Sequence, residues 1–249
     1  MTNTDTGTLW LAADWPAPTH IQAGTTVRTG GFSSAPYDTL NLARHVGDEE
    51  IAVEKNRKLI SKQLSLQNTP LWLTQTHSNR VFEWHKHTVA APRADGIVTD
   101  KPQQVCTVMT ADCVPLLFCN RQGNRVAAVH AGWRGICRGI LENAIQHFAK
   151  PDSLLVWIGP CISSQHYEVG ADVYSACLEQ APFSAPAFER VDEHHWLCDL
   201  PTLVKLILNH SGVNAVYESG LCTYRHAELF YSYRRDGVTG RTASMIWMA

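Results

Sequence analysis

Between Leu71 and His130 the chain is cut into six short apolar runs, LWLTQTH, RVFEWH, GIVTD, VCTVMT, VPLLFCN and RVAAVH, each bounded by Gly, Pro, Asn or Asp. Runs of this length and punctuation read as β-strands. They follow one another without a helical period between them, so a strict strand–helix alternation is not available to this chain. The fold class that results is α+β rather than a doubly wound parallel sheet.

The flanking segments fit that class. THIQAGTTVRTGGFSS reads as a strand turning at Gly30 and Gly31, with Arg28 at the strand end. GDEEIAVEKNRKLISKQLS reads as a surface helix capped near Asp48, with Val53, Ile60 and Leu64 at helical spacing. ICRGILENAIQHFAK predicts a second helix with Ile136, Ile140, Ala144 and Phe148 on one stripe. LLVWIG is a strand, and ADVYSACLEQ and PTLVKLILNHSG are helices, the latter with Pro201 early and Gly212 just past its end. LFYSYRR and RTASMIWM, flanking DGVTG, predict a closing hairpin. The 249 residues can bury a substantial core, and no repeat or linker divides them. The expectation is one domain over residues 1–249, with a poorly structured lead over about residues 1–8.

Lys and Arg number 21 and Asp and Glu 23, so the overall basic field that collects on nucleic acid or anionic lipid is lacking. A small substrate fits better than a polyanion. The N-terminus does not read as a secretory signal, and no stretch reaches the roughly 20 apolar residues that span a bilayer. A cytoplasmic location without membrane or nucleic-acid partners is therefore expected, and there the eight cysteines should stay reduced.

Three segments end or break a strand with a metal-ligating residue type: His77 in LTQTHSNRV, Cys113 in MTADCVP and His130 in AAVHAGW. These residues lie far apart in sequence, without the close ligand pairs of a structural zinc knuckle. If they meet in space, they form a three-ligand site with a fourth position open to water or substrate, which suits catalysis. Spacing alone favours the plainer reading, in which Cys113 between Asp112 and Val114 is a buried apolar residue. Asp112 argues against it, because a carboxylate in an apolar run needs a partner or a task. Pro115 marks a sheet edge or bulge.

After His130 the run AGWRG reads as a strand end, a glycine turn and a helix start, where Arg134 offers a fork of donors for phosphate or carboxylate. Arg28 and Asn41, on glycine-rich loops, are second candidates for lining a pocket, although Asn41 also suits a plain turn. Arg234, Arg235 and Asp236 read as a salt-bridge cluster at the end of the hairpin. Cys106, Cys119, Cys137, Cys161, Cys177 and Cys198 read as structural. His194 and His195 belong in an exposed loop, and His85 and His87 on a solvated strand edge.

VRTGGFSSAPYDTLNLARHVGD, TQTHSNRV, ADGIVTD, TADCVPLLFCN, VAAVHAGWRG, WIGPCISSQHYEVG and FYSYRRDGVTGRTASMIWM, taken in order, resemble the bacterial YfiH family, relatives of the laccase-domain-containing proteins. The resemblance runs from about Arg28 to Trp247. It implies one α+β domain of packed mixed β-sheets with helices outside, and a pocket whose metal ligands fall on His77, Cys113 and His130. Zinc is the expected metal, with copper as the alternative. The family was first named for copper-dependent polyphenol oxidation. It is mostly described as purine nucleoside phosphorylases acting on adenosine, inosine and methylthioadenosine, with adenosine deaminase activity as well. Some bacterial members are described as editing a cytoplasmic peptidoglycan precursor. Ser78 stands where the family usually has glycine.

The resemblance therefore implies a phosphorylase with a secondary deaminase activity, acting on a purine nucleoside and phosphate as a monomer or weak homodimer. His77, Cys113 and His130 would carry the chemistry, and Arg134, with Arg28 and Asn41, would contact phosphate or sugar. Phosphorolysis needs such an anion site together with polarisation of the leaving purine. The alternative is an editing amidase with Cys113 as nucleophile beside a histidine. A copper polyphenol oxidase and a non-catalytic metal- or nucleoside-binding protein stand behind both.

Overall fold

The computed structural model describes residues 9–84 and 91–249. The expected lead at 1–8 and the histidines at 85 and 87 lie outside the described residues. The chain opens with β1 (Trp10–Ala12), β2 (Ile21–Thr26) and helix α1 (Glu50–Gln63). Six strands follow: β3 (Leu71–Trp72), β4 (Val81–Glu83), β5 (Gly96–Thr99), β6 (Cys106–Thr110), β7 (Val114–Asn120) and β8 (Val126–Ala131). The second half contains α2 (Trp133–Ile136), α3 (Ile140–Ile145), β9 (Leu154–Ile158), β10 (Glu168–Gly170), α4 (Ala171–Gln180), β11 (Phe188–Arg190) and β12 (His195–Cys198). It ends with α5 (Leu200–His210), β13 (Ala215–Glu218), α6 (Tyr233–Asp236) and β14 (Thr242–Met248).

A five-stranded sheet runs β1-β2-β14-β6-β3, a six-stranded sheet runs β13-β9-β7-β8-β5-β4, and β10-β12-β11 form a small third sheet. The two large sheets stack because their strands alternate. In β7, Leu117 and Cys119 face the other sheet alongside Ala128 of β8, Val108 of β6 and Ile246 of β14. The opposite face of the same strand carries Leu116 and Phe118, which pack with Ile140 and Leu141 of α3 and Leu203 and Ile207 of α5. On the far side of the five-stranded sheet, Met245 and Ala243 pack with Leu40, Leu42 and Ile60 of α1. The result is mixed α+β in layers, with helices outside two packed sheets, as the strand punctuation and the resemblance both implied.

Four expectations change. LFYSYRR does not pair with the last strand, because β14 is already flanked by β2 and β6. Instead Phe230, Tyr231 and Ser232 are buried, and the Ser232 hydroxyl caps the short α6 by accepting from Arg235 N. The ICRGILENAIQHFAK helix breaks in two at Gly139, whose φ of +82° ends one turn before the next begins. Pro115 sits in a central strand rather than at an edge. The strand tolerates it because Pro115 O accepts from Gly159 N just past the end of β9, so its missing N–H falls where the ladder has run out. Finally, Cys137 and Cys177 are joined as a disulfide with Cα atoms 4.9 Å apart, where reduced thiols were expected, because the end of α2 packs on α4 within bridging distance.

Candidate active site

The β7–β8 register pairs Pro115 with His130 and Val114 with Ala131, so Cys113, one residue before β7, lies beside the end of β8. Side chains alternate along a strand, and His130 shares its face with Val126 and Ala128, which line the layer between the sheets. The interlayer core therefore opens at this end onto Cys113 and His130. His77 reaches them from the loop between β3 and β4. The Cys113 Sγ and His77 Nε2 are 4.0 Å apart. One ligating atom from each of the three residues lies within 4.8 Å of the others, and among the described residues no other group of three such side chains converges.

One carboxylate holds two members of the trio. Asp95, fully buried at the start of β5, accepts from Thr76 N at 3.2 Å, His77 N at 3.0 Å, Ser78 N at 2.7 Å and the Ser78 hydroxyl at 2.6 Å. It also bonds His130 Nδ1 at 2.9 Å, which turns Nε2 of that ring toward Cys113. The His77 backbone has φ of +56°, a strained value for a residue with a side chain, and the converging N–H groups stabilise that turn. Asp112, with φ of +93°, plays the matching part for Cys113. Its carboxylate accepts from the Thr223 hydroxyl and from Arg234 N, both at 2.7 Å. That is the partner its burial required. Gly132 leaves the room between: a Cβ there would stand 3.0 Å from both Cys113 Sγ and His77 Cδ2.

Burial disfavours charge on both Cys113 and His130, but their pairing overrides it. The two imidazoles bring the Cys113 thiol down to about 6, and the Cys113 thiolate together with Asp95 brings His130 up to about 9. Burial drives Cys119 and, with the charge of Asp199 beside it, Cys198 up to about 12, so they remain protonated thiols. Once His130 gives up its proton, the trio offers a thiolate and two imidazoles, a donor set suited to zinc or copper.

The cavity over the trio holds about 450 Å³, within the range of small-molecule sites. Arg134 reaches it, exposed and stacked on Trp133 at 4.4 Å. Arg28 and Asn41 do not line it. Arg28 bonds Asp38 and the Ala227 carbonyl and lies over Tyr231. Asn41 is fully buried among backbone groups. Arg234 lines the cavity while Arg235 pairs with Asp236, so the expected salt-bridge cluster is divided between the two. Sequence reasoning passed over Asp95, His45, Gln75, Tyr233 and Arg241, all of which hold or line the site. Asp95 had a visible signal, a charge between Ala94 and Gly96 at a strand start, the same signature that singled out Asp112.

A family model for the multi-copper polyphenol oxidoreductase laccases matches residues 22–249. The chain belongs to this family. Its relatives include the purine nucleoside phosphorylase YfiH of Shigella flexneri, 44% identical over 96% of this chain and 98% of that protein. A purine nucleoside phosphorylase of Haemophilus influenzae is 44% identical over 94% of this chain and 97% of its own length. The crystal structure of a Neisseria meningitidis protein superposes with a TM-score of 0.92 at 44% identity, covering 96% of this chain and 99% of that one. YlmD from Geobacillus stearothermophilus superposes at 0.90 with 30% identity, covering 97% of both chains. The laccase-like family and the converging trio together point to a metal. No helix among the described residues is long and apolar enough to cross a membrane.

Proposed function

We propose that this protein is a purine nucleoside phosphorylase, converting adenosine, inosine or methylthioadenosine and phosphate to the free base and a pentose 1-phosphate. The observation that carries the reading is a single cavity of about 450 Å³ that joins the His77–Cys113–His130 trio to guanidinium groups. The printed names of relatives at 44% identity supply the substrate class. They do not favour the precursor-editing alternative. A polyphenol oxidase would need several coppers, and among the described residues one three-ligand group converges.

In phosphorolysis a phosphate oxygen bonds to C1′, the C1′–N9 bond breaks with its electrons passing to the purine, and the purine takes up a proton. Arg134, with no ion pair among the described residues, is free to meet an anion. Trp133, Tyr167 and Tyr233 give the cavity flat apolar surface for a purine. His77, Cys113 and His130 would hold the metal, zinc in this reading with copper the alternative. When bound it supplies a Lewis acid and a coordinated water with a pKa of about 7. That chemistry supports a secondary adenosine deaminase activity at the same site.

Function as a monomer or weak homodimer belongs to the same reading. A cytoplasmic setting and a single domain over residues 1–249 complete the reading. The test is base release from inosine and adenosine with and without phosphate. Release that depends on phosphate is the expected result, and phosphate-independent release refutes phosphorolysis. Inosine appearing from adenosine in phosphate-free buffer reports the deaminase.

A further inference from the structure

We propose that Arg241 and His45 form the phosphate subsite of this cavity, held in register by Asn41. This deepens the phosphorylase reading and rests on it for the identity of the anion.

Arg241 and Arg134 both line the cavity, and neither has an ion pair among the described residues. They differ in how they are held. Arg134 is exposed, and among the described residues its guanidinium makes no hydrogen bond and stacks on Trp133. Arg241 is half-buried, and its Nη1 donates at 2.8 Å to the carbonyls of both Thr239 and Gly240. That grip fixes the guanidinium plane and leaves Nε and Nη2 without partners among the described residues. Asp112, the carboxylate among the lining residues, is already taken by Thr223 and by Arg234 N. Cys113 and Asp112 attract this cation without pairing with it directly, and burial outweighs them, so a partly desolvated guanidinium with fixed, unused donors gains from an anion that binds it directly. It is also already organised to receive one.

His45 lies in the same wall with no hydrogen bond or ion pair among the described residues. Although the residue is exposed, partial desolvation against the cavity wall, with Arg241 and Arg57, holds its imidazole below the ordinary pKa, so at neutral pH it carries one N–H donor and one acceptor. A phosphate bearing a proton matches both.

Asn41 links the two loops. Its Oδ1 accepts from Arg241 N at 2.9 Å and Ala43 N at 3.0 Å, and its Nδ2 donates to Ala43 O at 3.0 Å and Asp48 at 2.8 Å. Those partners bracket His45 on one side and fix Arg241 on the other. Asn41 is thus a positioning residue that does not touch the cavity.

The test titrates inorganic phosphate calorimetrically into the full-length wild type, Arg241→Gln, His45→Gln and Arg134→Gln, and measures KM for phosphate and for inosine separately. The loss of charge-assisted hydrogen bonds should weaken phosphate binding by roughly tenfold or more in Arg241→Gln. Its inosine KM should move by less than about threefold, since such contacts act only on their own ligand. His45→Gln, on an exposed turn, separates subsite loss from misfolding and should raise the phosphate KM while keeping the wild-type melting temperature. Unchanged phosphate affinity in both variants overturns the subsite. So does an effect confined to Arg134→Gln, or a wild type that binds no phosphate. If wild-type base release proves independent of phosphate, the phosphorylase reading fails, while the calorimetric comparison still decides whether an anion sits at Arg241.

Discussion

At the residue scale the site depends on a few atoms that orient the trio from outside it. Gly132 is one, because its missing side chain is the clearance between Cys113 and His77. Gly132→Ala should push those two apart by a few tenths of an ångström. Since misplacement of about 1 Å can cost a hundredfold, a fall in kcat/KM of roughly tenfold is expected, with little change in melting temperature. A wild-type kcat/KM in that variant would show that the spacing does not matter.

Asp95 is another. Burial alone would raise its pKa, but the bonds from His130 and Ser78 hold it well below the usual carboxylate range. A depressed carboxylate stabilises the fold above its unfolded pKa of about 4 and loses that contribution as pH falls toward the folded value. In metal-free protein, urea unfolding between pH 5 and 3 should therefore show an acid slope that Asp95→Asn reduces. The reduction should approach about 1.4 kcal/mol per pH unit at the lower end. Equal slopes would mean that Asp95 carries no such linkage. Cys113 and His130 stood out in the sequence because each interrupts or ends an apolar run. Arg241 and His45 did not, since their importance lies in partners they lack, and an absent partner leaves no mark on a sequence.

At the element scale, the readings that held rest on strong local signals. The helix at Ala171–Gln180 falls where its pattern placed it, and α5 is N-capped by Asp199, whose side chain accepts from Thr202 N at 2.9 Å. Asp199→Ala should cost about 1 kcal/mol of stability through loss of that cap, measured by chemical denaturation. The readings that failed did so where tertiary demand outweighed pattern. FYSYRR alternates like a strand, yet both edges of β14 are occupied, so Phe230 and Tyr231 are used as core plugs instead. Pro115 reads as an edge residue, but a local end to one ladder suffices to admit it to a central strand.

At the scale of the whole molecule, the order of strands could not be read from the sequence at all. That β14 inserts between β2 and β6, bringing Arg241 beside the His45 loop, follows from pairings across more than 200 residues. The same long-range closure governs how a metal should act on stability. His77, Cys113 and His130 lie on three separate segments, so an ion held by all three ties together the β3–β4 loop and both strands of the β7–β8 hairpin. An unfolded chain cannot offer that geometry, and the ion therefore stabilises the native state by mass action. At a free concentration about a hundred times its dissociation constant the gain is about 2.7 kcal/mol, which for a chain of this size shifts the melting temperature by roughly 5–10 °C. Chelation should lower the wild-type melting temperature by that amount, and added zinc or copper should restore it. Cys113→Ala should melt at the same temperature with and without chelator, because two histidines alone do not close the site. A chelator effect of equal size in both proteins would place the stabilising ion somewhere other than at the trio.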